Sequence, residues 1–329
     1  MAAQAHKTSY VLKTFLMAVA ICLAIVAVFV AITYPRYHRE MQARRVRLLT
    51  SSELLTTGNG VIEYAVQGQG PPVLLLHGAG GGYDQGLWFG KVALGEGFKF
   101  IAVSRYGYLR APIPKDPSII TQAALYRDLL DHLSIPKVIV VGGSAGGPSA
   151  TQFANDYPER TSALILISAV SEASAPGDKP AFYIGIIHLL QQSDYAYWLA
   201  ARFMQPSILN LMGISAVVYG KFTPLQKQMA QEMLGTMHPM TQRYPGTVND
   251  EEMIQRAAAS TQNVSAPTLI LHARDDALVS YRHAEHAHGA IRGSRLVGFE
   301  SGGHGLLPQM DAVRQNVKAF LSGISVPKS

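Results

Sequence analysis

The sequence contains a single cysteine, Cys22, among 329 residues. No intrachain disulfide can form, so a small scaffold held together by disulfides is excluded. Charged residues are also scarce, at 15% of the chain against 48% hydrophobic residues. This composition is not that of a disordered chain, and it is sufficient for a large hydrophobic core.

The chain has no charge surplus outside its N-terminal segment. Residues 1–50 contain seven Lys and Arg residues and one Glu, and they account for the whole formal net charge of +6. Residues 51–329 contain 21 basic and 21 acidic residues. Because no basic stripe runs along this larger part, we expect no nucleic-acid partner.

The segment from Thr14 to Tyr34 contains no charged residue, no glycine and no proline. About 20 apolar residues, at roughly 1.5 Å each, match a bilayer core of roughly 30 Å. We predict a transmembrane anchor at residues 14–34, in contact with the lipid bilayer and preceded by a tail at residues 1–13. A cleaved signal peptide and a buried core helix are the alternatives. The run is long for a signal peptide, and no small-residue cleavage site follows it.

Basic residues are concentrated just after this apolar segment. Two Lys precede the segment, and five Arg follow it: Arg36, Arg39, Arg44, Arg45 and Arg47. The positive-inside rule then favours a single-pass protein whose C-terminal domain faces the cytoplasm. We interpret residues 35–56 as a basic linker, which either contacts anionic headgroups or is solvated.

From residue 57 onward, short apolar stretches alternate with stretches of helical periodicity. The strands are predicted at residues 61–66, 72–77, 98–103, 137–141, 162–168, 267–272 and 295–299. Helices are predicted at residues 119–133, 145–157 and 310–321. This alternation predicts an α/β domain over residues 57–329, with a mostly parallel, doubly wound sheet covered by helices on both faces.

The strand pattern stops between about residues 174 and 262, where the sequence is helical in character. Seven of the eleven Met residues of the chain lie there: Met204, Met212, Met229, Met233, Met237, Met240 and Met253. We predict a helical insertion that forms a lid over the carboxyl edge of the sheet. Its Met and aromatic side chains either form an ordinary helical core or line a pocket for a hydrophobic small-molecule substrate.

Ser144 is the central residue of a G-x-S-x-G pattern formed by residues 142–146. The pattern alone is a weak signal, but here an apolar strand precedes it and a helical stretch follows. A serine on such a strand-to-helix turn exposes its hydroxyl group, and the glycines relieve crowding. We therefore predict that Ser144 is a nucleophile.

A glycine-rich loop at residues 77–82 closes an earlier predicted strand. Such a loop allows a backbone N–H to approach a substrate, so the N–H groups of Ala79 and Ala145 are predicted to form an oxyanion hole. Gly80 is the neighbouring candidate, and His77 is expected to be structural. The loop lacks the Gly-Lys-Ser/Thr that a phosphate-binding loop requires.

Two further polar turns follow predicted strands. Asp275 and Asp276 both follow the strand at residues 267–272, and either could orient an imidazole. We prefer Asp276 and expect Asp275 to face solvent or to cap the turn, with Glu172 a more distant candidate. His304, on a glycine-rich turn at residues 302–305, is the predicted general base.

Together these motifs resemble the α/β-hydrolase superfamily over about residues 60–321. Residues 81–86 and 104–110 are similar to a bacterial branch described only as α/β-fold hydrolases, although Ser104 stands where many relatives have Asp. The chain order Ser144, Asp276, His304 agrees with the order of the triad in this superfamily. The resemblance implies a cofactor-free serine hydrolase, carboxylesterase-like or lipase-like, that cleaves an ester or related acyl bond.

A serine nucleophile argues against the dehalogenase and epoxide-hydrolase branches, which use Asp. Thioesterases, carbon–carbon bond hydrolases, peptidases and cofactor-free haloperoxidases remain open, as does a ligand-binding protein with a silent triad. A metal is not expected. Three histidines, His283, His286 and His288, surround Glu285, but their spacing is not H-E-x-x-H, and the segment has the character of a surface helix ending at Gly289.

Overall fold

The structure, a computed structural model, describes residues 2–173, 181–256 and 259–324. The chain divides into two compact units, Met1–Arg47 and Leu48–Ser329. The strands are β1 Glu53–Thr57, β2 Gly60–Gln67, β3 Pro72–Leu76, β4 Lys99–Ser104, β5 Val138–Gly143, β6 Thr161–Ile167, β7 Thr268–Ala273 and β8 Arg295–Phe299. The helices are α1 Ala2–Thr50, α2 Tyr83–Leu94, α3 Ile119–His132, α4 Gly147–Asp156, α5 Ala181–Gln191, α6 Asp194–Phe203, α7 Gln205–Leu211, α8 Ala216–Gly220, α9 Pro224–Thr236, α10 Tyr244–Arg256, α11 Arg282–Ala290 and α12 Met310–Leu321.

Helix α1 is long and apolar enough to cross a membrane, by length and composition, and its most apolar 18-residue window has a mean hydropathy of 3.2. The helix extends beyond the predicted span on both sides. It includes most of the predicted tail and continues past Pro35 to Thr50, within the segment assigned to a basic linker. An i,i+4 ion pair between Arg36 and Glu40, at 3.5 Å, stabilises the helical conformation of the residues after Pro35.

Strand β1, which was not predicted, also lies in the segment assigned to the linker. It pairs antiparallel with β2, from Glu53 opposite Tyr64 to Thr57 opposite Gly60, across a two-residue turn. Its residues are exposed or half-buried, so the strand lacks the apolar run that identified the other seven. The second compact unit begins at Leu48, whereas the α/β domain was predicted from residue 57.

The eight strands form one sheet in the order β1-β2-β4-β3-β5-β6-β7-β8. The pairs β1–β2 and β2–β4 are antiparallel, and the other pairs are parallel. Strands β3, β5, β6 and β7 are buried along their whole length, as expected for strands covered on both faces. The predicted mostly parallel, doubly wound sheet is confirmed.

Helices cover both faces of this sheet. On one face, side chains of α3, α4 and α11 pack in the same cluster as Leu74, Val140 and Leu166. On the other face, α2 and α12 pack with Leu75 and Ile165. Helix α2 was not predicted, because its sequence contains glycines at positions 86 and 90 and no clear apolar period. Those glycines allow the helix to pack closely against Leu75 of β3.

The chain between β6 and β7 is a helical insertion, α5 to α10, and is called the lid below. Residues 174–180 and 257–258 of the predicted lid lie outside the described residues. The lid has a hydrophobic cluster of its own, which includes Tyr197, Leu209, Leu234 and Met237. Leu307, which follows β8, also belongs to this cluster, and Trp88 of α2 packs against it.

Candidate active site

Ser144 lies on a sharp turn between β5 and a short 3₁₀ helix, Ser144–Gly146, that leads into α4. Its φ is +50°, in the left-handed region, which costs a non-glycine residue about 1–3 kcal/mol. A Cβ at Gly142 would lie 2.6 Å from Ala150 Cβ, and one at Gly146 would collide with the carbonyl oxygen of Leu76. The two glycines therefore allow the turn to pack against β3 and α4, with the serine at its apex.

His304 contacts both Ser144 and Asp276. Its Nε2 lies 3.0 Å from Ser144 Oγ, and its Nδ1 lies 2.9 Å from Asp276 Oδ2. The structure thus brings together the three residues predicted as nucleophile, base and acid, which are separated by up to 160 positions in the chain. They meet because β5, β7 and β8 run parallel and end at the same edge of the sheet.

Asp276 is buried and has four polar contacts. Oδ1 accepts the backbone N–H groups of Leu278 and Val279, each at 2.9 Å, while Oδ2 faces His304 and His272. Burial raises the pKa of Asp276, but the charge of His304 and the hydrogen bonds from His272, His304 and the Val279 N–H outweigh it. The net result is a pKa below the ordinary value, so the carboxylate stays ionised at neutral pH.

The neighbouring Asp275 has a role that the sequence analysis missed. Its Oδ1 accepts the backbone N–H groups of Gly302 and Gly303, each at 2.8 Å. These glycines directly precede His304, and the N–H of Gly305 after it donates to Ser168 Oγ at 3.1 Å. The turn that presents the histidine is therefore held on both sides. The signal available in the sequence was two adjacent aspartates facing a turn that needs acceptors for its N–H groups.

His272 is the second missed residue. It is fully buried near the end of β7, and its Nε2 lies 3.3 Å from Asp276 Oδ2 and 2.8 Å from the carbonyl oxygen of Val279. In the sequence it appears only as the last residue of an apolar run. The outside candidate Glu172 binds Arg282 at 2.6 Å, in a surface ion pair separate from these contacts.

The glycine-rich loop after β3 passes beside the nucleophile. A Cβ placed on Gly78 would lie 3.1 Å from Ser144 Cβ, so the backbone approaches the serine closely. The next residue, Ala79, is exposed, and among the described residues nothing accepts a hydrogen bond from its N–H. Ala145 follows the serine at the start of the 3₁₀ helix. Both predicted oxyanion-hole donors thus adjoin Ser144.

His77, at the start of this loop, is buried and hydrogen-bonded on both ring nitrogens. Nδ1 lies 2.7 Å from the carbonyl oxygen of Gly78, and Nε2 accepts the backbone N–H of Arg105 at 3.1 Å. Since a carbonyl only accepts and an N–H only donates, the proton is on Nδ1. Burial and the charge of Arg105 lower the pKa of His77 well below its ordinary value. The neutral ring of His77 therefore connects the loop after β3 to the loop after β4 through hydrogen bonds.

Apolar side chains from the core and the lid lie beside the residue before Ser144 and beside the glycine-rich loop. Phe89, in α2, lies 3.4 Å from the position of a Cβ on Gly143. Two lid methionines lie over the glycine loop, because a Cβ on Gly80 would be 2.5 Å from Met237 Cε and 3.9 Å from Met240 Cε. These three side chains are apolar, while Gln85 and Arg243 lie beside the same loop at Gly81 and Gly82.

The histidines considered for a metal site have other partners. His283 is buried and accepts the backbone N–H of Ser171 at 3.2 Å, and His286 Nδ1 lies 3.0 Å from Ser171 Oγ. His288 Nδ1 lies 2.9 Å from Ser294 Oγ. Helix α11 is therefore not wholly a surface helix, since His283 packs inward. Within the described ranges, no group of three or more potential ligands is arranged to hold a metal.

Residues 71–309 match the family model described as alpha/beta hydrolase fold. The chain belongs to the α/β-hydrolase fold family. It is 32% identical over 263 residues to the uncharacterized hydrolase YcgS of Bacillus subtilis, a match that covers 77% of this chain and 91% of that protein. It is 27% identical over 260 residues to the 2-hydroxy-6-oxo-6-phenylhexa-2,4-dienoate hydrolase of Comamonas testosteroni, covering 74% of this chain and 85% of that protein.

Among solved structures, the α/β-hydrolase fold protein from Nakamurella multipartita superposes with a TM-score of 0.69 at 26% identity. The superposition covers 82% of this chain and 99% of that one. The predicted superfamily is confirmed. The present chain is a hydrolase of the α/β fold.

Proposed function

We propose that this hydrolase cleaves an ester or related acyl bond of a hydrophobic small molecule, with Ser144 as nucleophile, His304 as general base and Asp276 as the orienting acid. The observation that supports the proposal is the single line of contacts through His304, 3.0 Å to Ser144 Oγ and 2.9 Å to Asp276 Oδ2. Nucleophile, base and orienting group within hydrogen-bond reach are the arrangement that activates a serine.

In the proposed reaction, Ser144 Oγ attacks the acyl carbon while His304 Nε2 takes the hydroxyl proton. The N–H groups of Ala79 and Ala145 bind the oxyanion of the tetrahedral intermediate. His304 then gives its proton to the leaving alcohol, and the acyl-enzyme remains. Water attacks this acyl group, with the same histidine as base, and releases the acid. Throughout, Asp276 stays ionised and stabilises the imidazolium.

The substrate class follows from the apolar side chains near the nucleophile. Phe89, Met237 and Met240 offer no charged group to a bound molecule, and flexible Met side chains adapt to varied apolar groups. The Comamonas testosteroni relative acts on a phenyl-bearing dienoate according to its name. Hydrolysis of such a compound is therefore the second candidate function.

We further propose that α1 anchors the chain in a membrane as a single-pass protein whose catalytic unit faces the cytoplasm. Its 39 residues from Leu12 to Thr50 are long enough for this role, and the five Arg after the apolar segment favour that orientation. Protease treatment of sealed inverted membrane vesicles should digest the catalytic unit. Full protection of that unit from the protease would contradict this orientation and would place the unit on the other side of the membrane.

The deciding experiment is labelling of the full chain in detergent with a fluorophosphonate probe, wild type against Ser144→Ala. We expect the variant to lose all labelling and about 10⁶-fold in kcat on p-nitrophenyl esters, as comparable triads do. Ser162→Ala is the matched control. Its hydroxyl is buried and without a partner among the described residues, so this variant should label fully.

Each other outcome favours a different function. Halogenation that requires peroxide and a short carboxylic acid would favour cofactor-free haloperoxidase chemistry in the same pocket. Turnover of a phenyl-bearing dienoate in preference to every ester would favour the second candidate. Absence of labelling in folded wild type would favour a ligand-binding protein with a silent triad.

A further inference from the structure

His272 occupies a position where an apolar residue would be expected. All six residues of β7 are buried, and the strand is otherwise made of Leu269, Ile270, Leu271, Ala273 and Thr268. A buried imidazole is costly unless its polar atoms find partners. In His272 only one of the two ring nitrogens does so, since Nδ1 has no partner among the described residues.

The contacts of the other nitrogen determine the tautomer. Nε2 lies 2.8 Å from the carbonyl oxygen of Val279, which can only accept a hydrogen bond. The proton of the ring is therefore on Nε2, and Nδ1 has a lone pair. The same nitrogen lies 3.3 Å from Asp276 Oδ2, so the N–H that donates to the carbonyl also faces the carboxylate of the proposed triad.

The carboxylate of Asp276 is consequently held at both oxygens. Oδ1 accepts two backbone N–H groups, from Leu278 and Val279, at 2.9 Å each. Oδ2 faces the Nε2–H of His272 and Nδ1 of His304, at 3.3 and 2.9 Å. Without His272, Oδ2 would be held only by the residue that it is meant to orient.

We infer that His272 is a positioning residue: it fixes Asp276 Oδ2 so that His304 presents Nε2 to Ser144. The inference rests on the proposed function and names a part of its machinery that the motifs do not contain. It explains why a buried strand position holds an imidazole with an unused nitrogen instead of a leucine. His272 contacts the far side of the acid, so it should affect the chemical step and leave substrate binding unchanged.

Three substitutions separate this role from packing. In His272→Gln, the amide nitrogen falls near the place of Nε2 and keeps the donor to Asp276. In His272→Asn, the shorter side chain puts its amide near the place of Nδ1, and in His272→Leu no donor remains. His283→Leu, which removes another buried histidine outside the proposed triad, is the matched control.

The full chain, purified in detergent, is titrated with the fluorophosphonate probe, and kcat and KM for p-nitrophenyl butyrate are expressed per titrated site. We expect kcat to fall about 10- to 100-fold in the Leu and Asn variants, since small misplacements of reacting groups cost up to about that much, with KM changed less than about twofold. The Gln variant should recover kcat to within about fivefold of wild type, and His283→Leu should stay within about twofold.

The readout per titrated site is chosen because a merely structural role would lower the fraction of active protein and not kcat. Wild-type kcat per site in the Leu variant, or equal losses in the Gln, Asn and Leu variants, would overturn the inference. If the Leu variant does not fold, the comparison of Gln with Asn decides in the same way. A folded wild type that no phosphonate labels would overturn the proposed function and this inference together, whereas the other failures leave the proposed function standing.

Discussion

The turns at the carboxyl edge of the sheet and the lid above them are stabilised in different ways. The turns are held by hydrogen bonds within this edge of the sheet. Asp276 accepts the N–H groups of Leu278 and Val279, and Asp275 accepts those of the two glycines before His304. The C-terminal part of the lid is held by two ion pairs to residues far away in the chain, the buried pair Arg105–Asp250 and the partly buried pair Arg243–Asp84. The groups proposed for chemistry are thus fixed by hydrogen bonds between neighbouring turns, and the C-terminal end of the lid is fixed by ion pairs to the core.

Both ion pairs join the lid to the neighbourhood of the glycine-rich loop. Arg105 is buried, lies directly after β4 and binds Asp250 of α10 through both terminal nitrogens, with NH2 to Oδ2 at 2.6 Å. Tyr108 also donates to Asp250. Arg243 binds both oxygens of Asp84, at the start of α2, at 2.9 Å each. The C-terminal part of the lid therefore lies beside the glycine-rich loop, which Arg243 and Met237 both approach closely.

The earlier part of the lid contrasts with this end. Its exposed large apolar side chains are those of Ile186, Leu189, Phe203, Met204, Val217 and Leu225, all before α10. The two ends of the lid therefore differ in how they are held. The two ion pairs join its C-terminal end to the core. Its earlier helices pack on one another around Tyr197, Leu209 and Leu234.

The largest expected effect comes from breaking the Arg105–Asp250 pair. Asp250→Asn leaves a buried guanidinium without its counter-charge, which costs about 3–5 kcal/mol of unfolding free energy. Urea unfolding of the full chain in detergent measures the loss. Glu252→Gln is the control on the same helix. It breaks an exposed ion pair with Arg256, and such pairs contribute about 1 kcal/mol or less.

A double replacement sharpens the same test. Arg105→Met with Asp250→Leu removes both charges, so it should be more stable than Asp250→Asn alone. If Asp250→Asn unfolds within about 1 kcal/mol of wild type, the pair does not fix the lid, and the contrast between the two regions fails.

The second effect concerns the turn that presents His304. Asp275→Ala removes the acceptor of the Gly302 and Gly303 N–H groups, which should cost about 1–3 kcal/mol of stability. Because His304 follows directly, kcat per titrated site should also fall at least about tenfold. Asp275→Asn keeps a carbonyl oxygen in the same place and should lose much less. Thermal melting and active-site titration measure the two effects, and equal behaviour of Ala and Asn would refute the role of this oxygen.

The sheet and the turns that carry the proposed triad were predictable because their signals are local. Seven strands appear as apolar runs, and parallel strands necessarily end at one edge, where Ser144, Asp276 and His304 each follow a strand. The contact between these residues follows from that topology. Strand β1 was missed because an edge strand with exposed residues has no apolar run.

The remaining features depend on contacts between residues distant in sequence. Nothing near Arg105 indicates that its partner is Asp250, 145 positions later. Nothing in the sequence marks His272 as a functional residue, because it ends a predicted apolar strand. Its proposed role depends on the turn that follows. Helix α1 and strand β1 continue through the polar sequence assigned to the linker, where composition alone gives no helix or strand signal.

The smallest expected effect tests whether the fixed end of the lid determines specificity. Met237 is buried, its Cε lies next to Gly80 of the glycine loop, and its Sδ accepts a hydrogen bond from Tyr197 at 3.3 Å. Met237→Ala should enlarge the space over the loop and raise kcat/KM for long p-nitrophenyl esters relative to the acetate by about tenfold, since one methylene contributes about 1–3 kcal/mol in such pockets. Met204→Ala, which removes an exposed methionine of the earlier lid, should leave the profile unchanged. An identical shift in both variants would mean that looseness of the lid, and not the volume at Met237, selects the substrate. No shift in either would place the acyl group away from the lid altogether.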